Sequence, residues 1–468
     1  MSERTLKELR KQLRCVDSEL IRTLAQRLRL VQRIGFVKKK LQIGVIDPAT
    51  EKSAMENFVA TAVQAGVDKV FATRLAHLVI EASVDIQTSS RPRVVSKDSV
   101  LKRFSEIMLR AEKKNRKLIR LDIGEPRFRT PRVVAAEAKR FLDRTPTMMY
   151  GSSAGLTALT DAIAAGLNDQ YGTRIDRSKV LIFPGARFAI FAAIRSTLSS
   201  FDRVVLCKPA WPAYESSAAL AGARSVTVST SLEDAWDINL RVLEDAFGLR
   251  PRMLVINNPN NPTGKVWSAK RFREILDLAS RYRVTVLSDE VYASYCHTQV
   301  PSVLEYPDAD AIYVNSFSKE FSMTGWRVAY AVASEERIAK MRSIVETTLT
   351  NVPEFVQRAA VAALKDRSGQ AVHNRRQIRR RVEMACEELR KGDLEFYPPD
   401  GGFYIFPRIK KRNIDSERLT KHLFEHGVGI LPGSVFGEYK DFLRLAITES
   451  ETAVKTGIRR IVKAVEEY

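Results

Sequence analysis

The chain has 468 residues and a formal net charge of +21, from 76 Lys and Arg against 55 Asp and Glu. Apolar residues make up 45% and charged residues 28%, which excludes a disordered, collagen-like or low-complexity polymer, and the length calls for two or three domains. No apolar run approaches the ~20 residues of a membrane-spanning helix, and the charged start MSERTLKELRKQLR predicts no secretory leader. Cys15, Cys207, Cys296 and Cys386 are scattered too widely for a disulfide scaffold or a zinc site, and no metal is expected. The expected compartment is the reducing cytoplasm.

In chain order, apolar residues first recur at three or four positions from Thr5 to Lys40 (Leu6, Leu9, Leu13, Val16, Leu20, Leu24, Leu28, Val31, Ile34), which predicts one long amphipathic helix. IGVIDP at 43–48 breaks it, through Gly44 and the Asp-Pro step. A second helix is predicted from about Ala49 to Gln64 and a third from Lys69 to Gln87. Three helices make a small core, so partner helices are expected. TSSRPRVVSKDS at 88–99 reads as a linker.

Beyond it, short β-branched runs alternate with helical stretches: KVLIF (179–183), DRVVLC (202–207), RMLVIN (252–257), VTVLSD (284–289) and AIYVNS (311–316). Most are continuously apolar, the pattern of parallel strands covered on both faces, so a mostly parallel α/β domain with its site at the strand C-terminal ends is predicted. From about 333 the pattern turns helical, and LEFYP (394–398), GFYIFP (402–407) and FLRLAI (442–447) predict strands of a smaller α+β lobe. The expected division is a helical domain over 1–88, a linker over 89–100, a large domain over about 140–335 and a small lobe from 101–139 and 336–468. The basic run NRRQIRRRVEMACEELRK at 374–391 reads as a solvated helix face, not a nucleic-acid patch.

Several polar residues of the helical region stand apart. At ~100° per residue, Arg27 and Lys38 fall within ~20° of each other on the long helix, whereas Arg10 is turned ~100° away. Two cations can share a pocket while the third points across a dimer. Asp47 and Glu51 are four apart around the next helix start, and Ser83 and Gln87 share a face of the last helix. Taken singly, each is an ordinary surface group. Taken together, LRKQLRCVDSEL, AQR at 25–27, Lys38, DPATE at 47–51 and IEASVDIQ at 80–87 resemble the all-helical, intertwined-dimer chorismate mutases over nearly all of 1–90. That resemblance implies Arg10, supplied by the partner subunit, and Arg27 on the two carboxylates of chorismate. It implies Lys38 and Gln87 on the ether oxygen, Asp47 and Glu51 at the ring hydroxyl, and Ser83 near a carboxylate. The rearrangement of chorismate to prephenate is unimolecular. It needs a dianion held compact and donors where charge grows on the breaking C–O bond, so cations and amides suit it. Many relatives carry Arg where this chain has Thr50, which leaves open a domain kept for assembly or regulation.

In the second region the order is NNPNNPTGK (257–265), Asp289-x-x-Tyr292, and Ser316-x-x-Lys319 followed by Arg327. It resembles the fold-type I, pyridoxal-phosphate-dependent aminotransferases of the aspartate/aromatic/prephenate group over about 100–468. The resemblance implies Lys319 as the Schiff-base lysine and proton shuttle. Asp289 would pair with the pyridinium nitrogen, Tyr292 and Asn261 with the phenolic oxygen, and Ser316 and Arg327 with the phosphate. Gly185 and Ala186 would add helix N-terminal amides to the phosphate. Trp211 would stack on the ring, and Tyr150 would reach the neighbouring subunit's phosphate in a homodimer. Arg444 would clamp the substrate α-carboxylate with a backbone contact from Gly124. Arg187, where relatives often have Lys, would select a distal carboxylate. Arg127 and Arg129 would add positive charge near the pocket mouth.

The product of the first unit, prephenate, is an α-keto acid, the kind of acceptor the second uses. The leading expectation is therefore a bifunctional enzyme of aromatic amino-acid synthesis, acting on chorismate, α-keto acids and amino acids, with no nucleic-acid or membrane partner. The alternative is an aspartate or aromatic aminotransferase with a regulatory or inactive mutase-like domain. A transcription regulator with an aminotransferase-like body is disfavoured, because a DNA-binding module needs short helices around a tight turn.

Overall fold

The computed structural model describes residues 3–41, 48–88, 103–104, 106–107, 118–296, 299–411 and 415–467. The expected linker and Asp47 lie outside these residues, as do the side chains of Glu51 and Gln87 and all of the expected break except Pro48. The chain divides into two compact units, Met1–Val94 and Val95–Tyr468.

The first unit holds three helices, α1 (Glu3–Lys40), α2 (Pro48–Gln64) and α3 (Lys69–Thr88). Pro48 opens α2, where its missing N–H has no intrahelical partner to lose. The Asp68 carboxylate accepts the Phe71 amide at 2.9 Å at the start of α3. Val31, Ala72, Ala76 and Val79 make the buried apolar core among the described residues. Four small or medium side chains bury too little apolar surface to hold three helices alone. Meanwhile Leu6, Leu9, Leu13, Val16 and Leu20 stand on α1 about half exposed, an apolar stripe that the described residues leave open.

The second unit is built on seven strands: β1 (Val180–Phe183), β2 (Arg203–Lys208), β3 (Arg224–Ser229), β4 (Met253–Asn257), β5 (Thr285–Asp289), β6 (Ala311–Ser316) and β7 (Ala329–Val332). Their spatial order is β1-β7-β6-β5-β4-β2-β3, and only β7 runs antiparallel to its neighbours. β1, β4 and β5 are buried at every position, which is why apolar residues follow one another in them instead of alternating with polar ones, up to the polar ends of β4 and β5. The register sets Asn257 opposite Asp289 and Asp289 opposite Val314, so the polar ends of three adjacent strands meet at one edge of the sheet.

Helices cover both faces. Arg132–Arg144 and Glu354–Leu364 bury Val134, Ala138, Val356 and Ala359 on one face, beside Thr157–Tyr171. Glu335–Thr348 buries Ile338, Met341 and Val345 beside Ala186–Thr197 on the other. Residues 132–139 and 336–364, expected in the small lobe, thus pack onto the large sheet instead. Amphipathic spacing shows that a helix has a buried face, not which core receives it. The small lobe gathers Leu121, Gln370–Leu389, Ser416–Glu425, Leu443–Ala446 and Glu451–Glu467 around its own apolar cluster.

Candidate active sites

On the helical unit, Arg27 of α1 reaches α3. Its Nη1 donates to Ser83 Oγ at 2.5 Å and to the Val79 carbonyl at 3.2 Å. Ser83 is buried, and its own hydroxyl donates to Val79 O at 2.6 Å. Burial lowers the Arg27 pKa. Lys38 is half-buried three turns along the same helix. Arg10 is exposed. It lies seventeen residues before Arg27, about 25 Å along a helix rising 1.5 Å per residue. One chain therefore joins Arg27 to Ser83 and does not bring Arg10 to them.

In the second unit, Lys319 lies in the four-residue helix Phe317–Glu320 that follows β6. Ser316 caps that helix, accepting the Ser318 amide at 3.0 Å, and its hydroxyl donates to the Val328 carbonyl at 3.2 Å. Lys319 Nζ donates to the Gly124 carbonyl at 2.5 Å, and Tyr295 OH donates to the Lys319 carbonyl at 2.9 Å. Desolvation brings the ammonium pKa down to about 8, against the pull of Glu125 and Asp289.

Asp289, at the end of β5, is 3% exposed. It accepts the Tyr214 hydroxyl at 2.6 Å and the Val291 amide at 3.4 Å. Desolvation raises its pKa to about 6, with the Tyr214 hydrogen bond holding it down. Asn257, at the end of β4, donates to the Asp289 carbonyl at 2.8 Å and accepts the Asn261 amide at 2.7 Å. Asn261 Nδ2 donates to the Tyr292 hydroxyl at 3.4 Å, and that hydroxyl lies 3.1 Å from the Tyr404 hydroxyl. Gly185 has φ +95° and precedes the helix Ala186–Thr197. A Cβ there would collide with the Arg327 guanidinium, which donates to Thr324 O at 2.7 Å and Pro184 O at 3.4 Å. Arg444 is 5% exposed and donates to the Asp122 carbonyl.

Lys319, Asp289, Tyr292, Asn261, Ser316, Arg327, Gly185, Ala186, Arg444 and Gly124 thus share one edge of the sheet and the lobe beside it. Three placements depart from simple expectation. The Arg187 guanidinium lies 4.9 Å over the Trp211 ring, where burial and the charge of Arg327 lower its pKa. Arg127 is paired with Glu449 at 3.1 Å, so its charge is neutralised at close range rather than offered to the pocket mouth. Tyr150 is 87% exposed beside Met149 at 82%, and its own chain does not bring it to the site. Tyr214, Asn257 and Tyr404 were missed. Two had local signals: Tyr214, three residues after Trp211 in KPAWPAY, and Asn257, the first residue of NNPNNPTGK.

The residues present suit pyridoxal phosphate. Among the described residues, Asn261 Oδ1 and Arg444 Nε are buried with no hydrogen-bond partner from the protein, so each is left for a group from outside the chain. The side-chain-free Gly185, the helix start after it and Arg327 form an anion cradle. A buried carboxylate on Asp289 suits a ring cation.

Residues 116–461 match the family model of aminotransferase class I and II, and residues 9–88 match that of chorismate mutase type II. The chain is 32% identical over 369 residues to the aspartate aminotransferase of Sulfolobus acidocaldarius, covering 76% of this chain and 92% of that protein. It is 31% identical over 394 residues to a probable aspartate/prephenate aminotransferase of Aquifex aeolicus, covering 81% of this chain and all of that protein. The crystal structure of Thermus thermophilus aspartate aminotransferase with maleate superposes with a TM-score of 0.75 at 27% identity, over 80% of this chain and 99% of that one. No helix among the described residues is long and apolar enough to cross a membrane. The chain belongs to the class I and II aminotransferases, which are pyridoxal-phosphate dependent, and it carries a type II chorismate mutase domain ahead of that body.

Proposed function

We propose that the chain is a bifunctional enzyme that rearranges chorismate to prephenate and transaminates prephenate to arogenate, with aspartate or glutamate as amino donor. The observation that carries this reading is the union, on one chain, of an Arg27–Ser83 anion pocket with the Lys319–Asp289–Arg444 site. The α-keto acid made by the first chemistry is an acceptor for the second. The Aquifex relative's description names prephenate and supports the same choice.

In the mutase unit, Arg27 and Ser83 hold a carboxylate of chorismate and Lys38 faces the ether oxygen, with Arg10 supplied by a second copy. The half-exposed stripe on α1 supports that homodimer. Asp47, Glu51 and Gln87 complete the pocket in this reading.

In the aminotransferase unit, pyridoxal phosphate, when bound, supplies the electron sink that makes the substrate α-hydrogen acidic. Ser316, Arg327 and the Gly185–Ala186 amides hold its phosphate, Trp211 its ring face, Tyr292 and Asn261 its phenolic oxygen. Tyr150 adds a phosphate contact from the neighbouring subunit. Asp289, kept anionic by Tyr214, holds the proton on the ring nitrogen. Arg444 and Gly124 orient the α-carboxylate so that the Cα–H faces Lys319, whose Nζ takes the proton and returns it one position along. A lowered lysine pKa suits that role, because the neutral amine is the base. Arg187 serves the distal carboxylate.

A second reading, an aspartate aminotransferase with a regulatory mutase domain, is favoured by the aspartate aminotransferases among the relatives at 32% to 35% identity. One incubation separates the two. The purified protein with pyridoxal phosphate receives chorismate, glutamate and aspartate at neutral pH, and products are identified by mass spectrometry. Arogenate establishes the first reading. Prephenate without arogenate sinks it, and unchanged chorismate removes the mutase half.

A further inference from the structure

Tyr404 belongs to no part of the site as read from sequence, yet it meets Tyr292 and Arg444 and lies against Gly124. The two-residue strand Tyr404–Ile405 pairs antiparallel with Leu443–Ala446, setting Tyr404 opposite Ala446. Side chains alternate along a strand, so Arg444 and Ala446 share the face on which Tyr404 lies. Alanine is small, and the Tyr404 ring leans past it onto its diagonal neighbour. The Arg444 guanidinium ends 4.7 Å from the Tyr404 ring centroid and 5.5 Å from that of Phe436. Both Tyr404 and Arg444 are 5% exposed or less, so this cation–π contact is desolvated, where such contacts are strongest.

The other end of the ring is equally engaged. The Tyr404 hydroxyl lies 3.1 Å from the Tyr292 hydroxyl. It also occupies the space that a Cβ at Gly124 would fill, and the Gly124 carbonyl accepts Lys319 Nζ. Asn261 already donates to the Tyr292 oxygen. If Tyr292 gives its own proton to the phenolic oxygen of the cofactor, Tyr404 is the second donor to Tyr292, and chained donors polarise one another.

We infer that Tyr404 is a positioning residue of the aminotransferase site: its ring fixes the plane of Arg444 for the substrate carboxylate, and its hydroxyl sets the donor strength of Tyr292. This rests on the aminotransferase roles proposed above for Arg444 and Tyr292. Two ends of one side chain thereby couple the grip on substrate to the grip on cofactor.

The test uses the holoenzyme with Tyr404→Leu, Tyr404→Phe and, as a control on the site itself, Arg444→Ala. Two quantities are read: the dissociation constant of maleate, a dicarboxylate that cannot be transaminated, and the ratio of the visible absorption bands of the bound cofactor at neutral pH. Tyr404→Leu is expected to weaken maleate about tenfold, for one desolvated cation–π contact. Tyr404→Phe keeps the ring, so maleate affinity stays within about twofold. It is expected to change the band ratio about two- to tenfold, for one hydrogen bond. Wild-type values of both quantities in both variants overturn the inference. So does a Tyr404→Leu protein that melts earlier yet binds maleate normally, since that is a purely structural role. Should Tyr404→Leu fail to fold, the band ratio of Tyr404→Phe decides alone. Arg444→Ala separates the levels: if it leaves maleate binding intact, the site reading itself fails, and the inference falls with it. If it abolishes binding while the Tyr404 variants match wild type, only the inference fails.

Discussion

The Tyr214 hydroxyl donates to Asp289 Oδ2 at 2.6 Å, from a helix whose preceding residues bring Trp211 edge-on to Tyr214 at 5.6 Å between ring centroids. One short segment, KPAWPAY, thus carries both an aromatic face and the donor that keeps a buried carboxylate charged. Without such a donor, desolvation alone would drive Asp289 towards its neutral form.

The consequence is a pH dependence with a definite sign. The Asp289 carboxyl, with a pKa raised to about 6, is anionic above that pH and gains its proton below it. The apo-protein should therefore lose affinity for pyridoxal phosphate as pH falls through about 6. Tyr214→Phe removes a hydrogen bond to the anion, raises that pKa and moves the loss to higher pH. Fluorescence titration of the cofactor into apo-protein across pH 5 to 8 reads this directly. An unmoved midpoint in the variant would show that Tyr214 does not govern the carboxyl.

Lys319 gives the opposite limb. Its ammonium pKa is lowered to about 8, chiefly by desolvation, while the charge of Glu125 opposes the shift. Only the neutral amine is a nucleophile, so capture of pyridoxal phosphate should accelerate with pH up to about 8 and level off above it. Glu125→Gln removes the favourable carboxylate, lowers the pKa further and moves the inflection to lower pH. Lys319→Ala should abolish capture at every pH. Stopped-flow absorbance of the cofactor is the measurement.

How much of this was legible in the chain follows from where each signal resides. β1, β4 and β5 announce themselves because both sheet faces are covered and every position is buried, so apolar residues run together up to the polar strand ends. β3 does not, because it is the last strand in the sheet order and mixes exposed with buried positions. β7, AYAV, is as short as β1 and half alanine, a weak strand former. Lys319, Asp289 and Arg444 stand out because their residue types and spacings are tied to chemistry. Tyr404 does not, because its contact with Arg444 arises from the register of two strands forty residues apart, roughly, and register is a tertiary fact. The pairing of Arg127 with Glu449 is hidden for the same reason.

Gly185 tests the anion cradle. Its φ of +95° is strained for any L side chain, and a Cβ there meets the Arg327 guanidinium. Gly185→Ala must either distort the backbone, at roughly 1–2 kcal/mol, or displace Arg327. The cofactor dissociation constant should rise at least about tenfold, since 1.4 kcal/mol is tenfold in affinity. The helical unit should be unaffected. Equilibrium dialysis of pyridoxal phosphate, alongside a mutase assay as internal control, checks both halves; unchanged cofactor affinity would remove Gly185 from the phosphate site.

The helical unit allows a sharper test of assembly. Arg27 and Ser83 meet within one chain, but Arg10 lies about 25 Å away along a straight helix, too far for one small dianion to span. The proposed mutase pocket accordingly requires Arg10 from a second copy, with the exposed Leu6–Leu20 stripe as the surface offered to it. Arg10→Ala and Arg27→Ala should each lower mutase turnover by about 10²–10³-fold, the effect of removing one partner of a buried charge interaction. Unfolded and refolded together in equal amounts, the two variants form mixed dimers as half of the population. Each mixed dimer has one site with both arginines intact and one with neither. About a quarter of wild-type turnover should return, as two-fold symmetry requires. If both arginines act from the same chain, no mixture restores activity, and a flat result would overturn the shared pocket while leaving Arg27 and Ser83 in place.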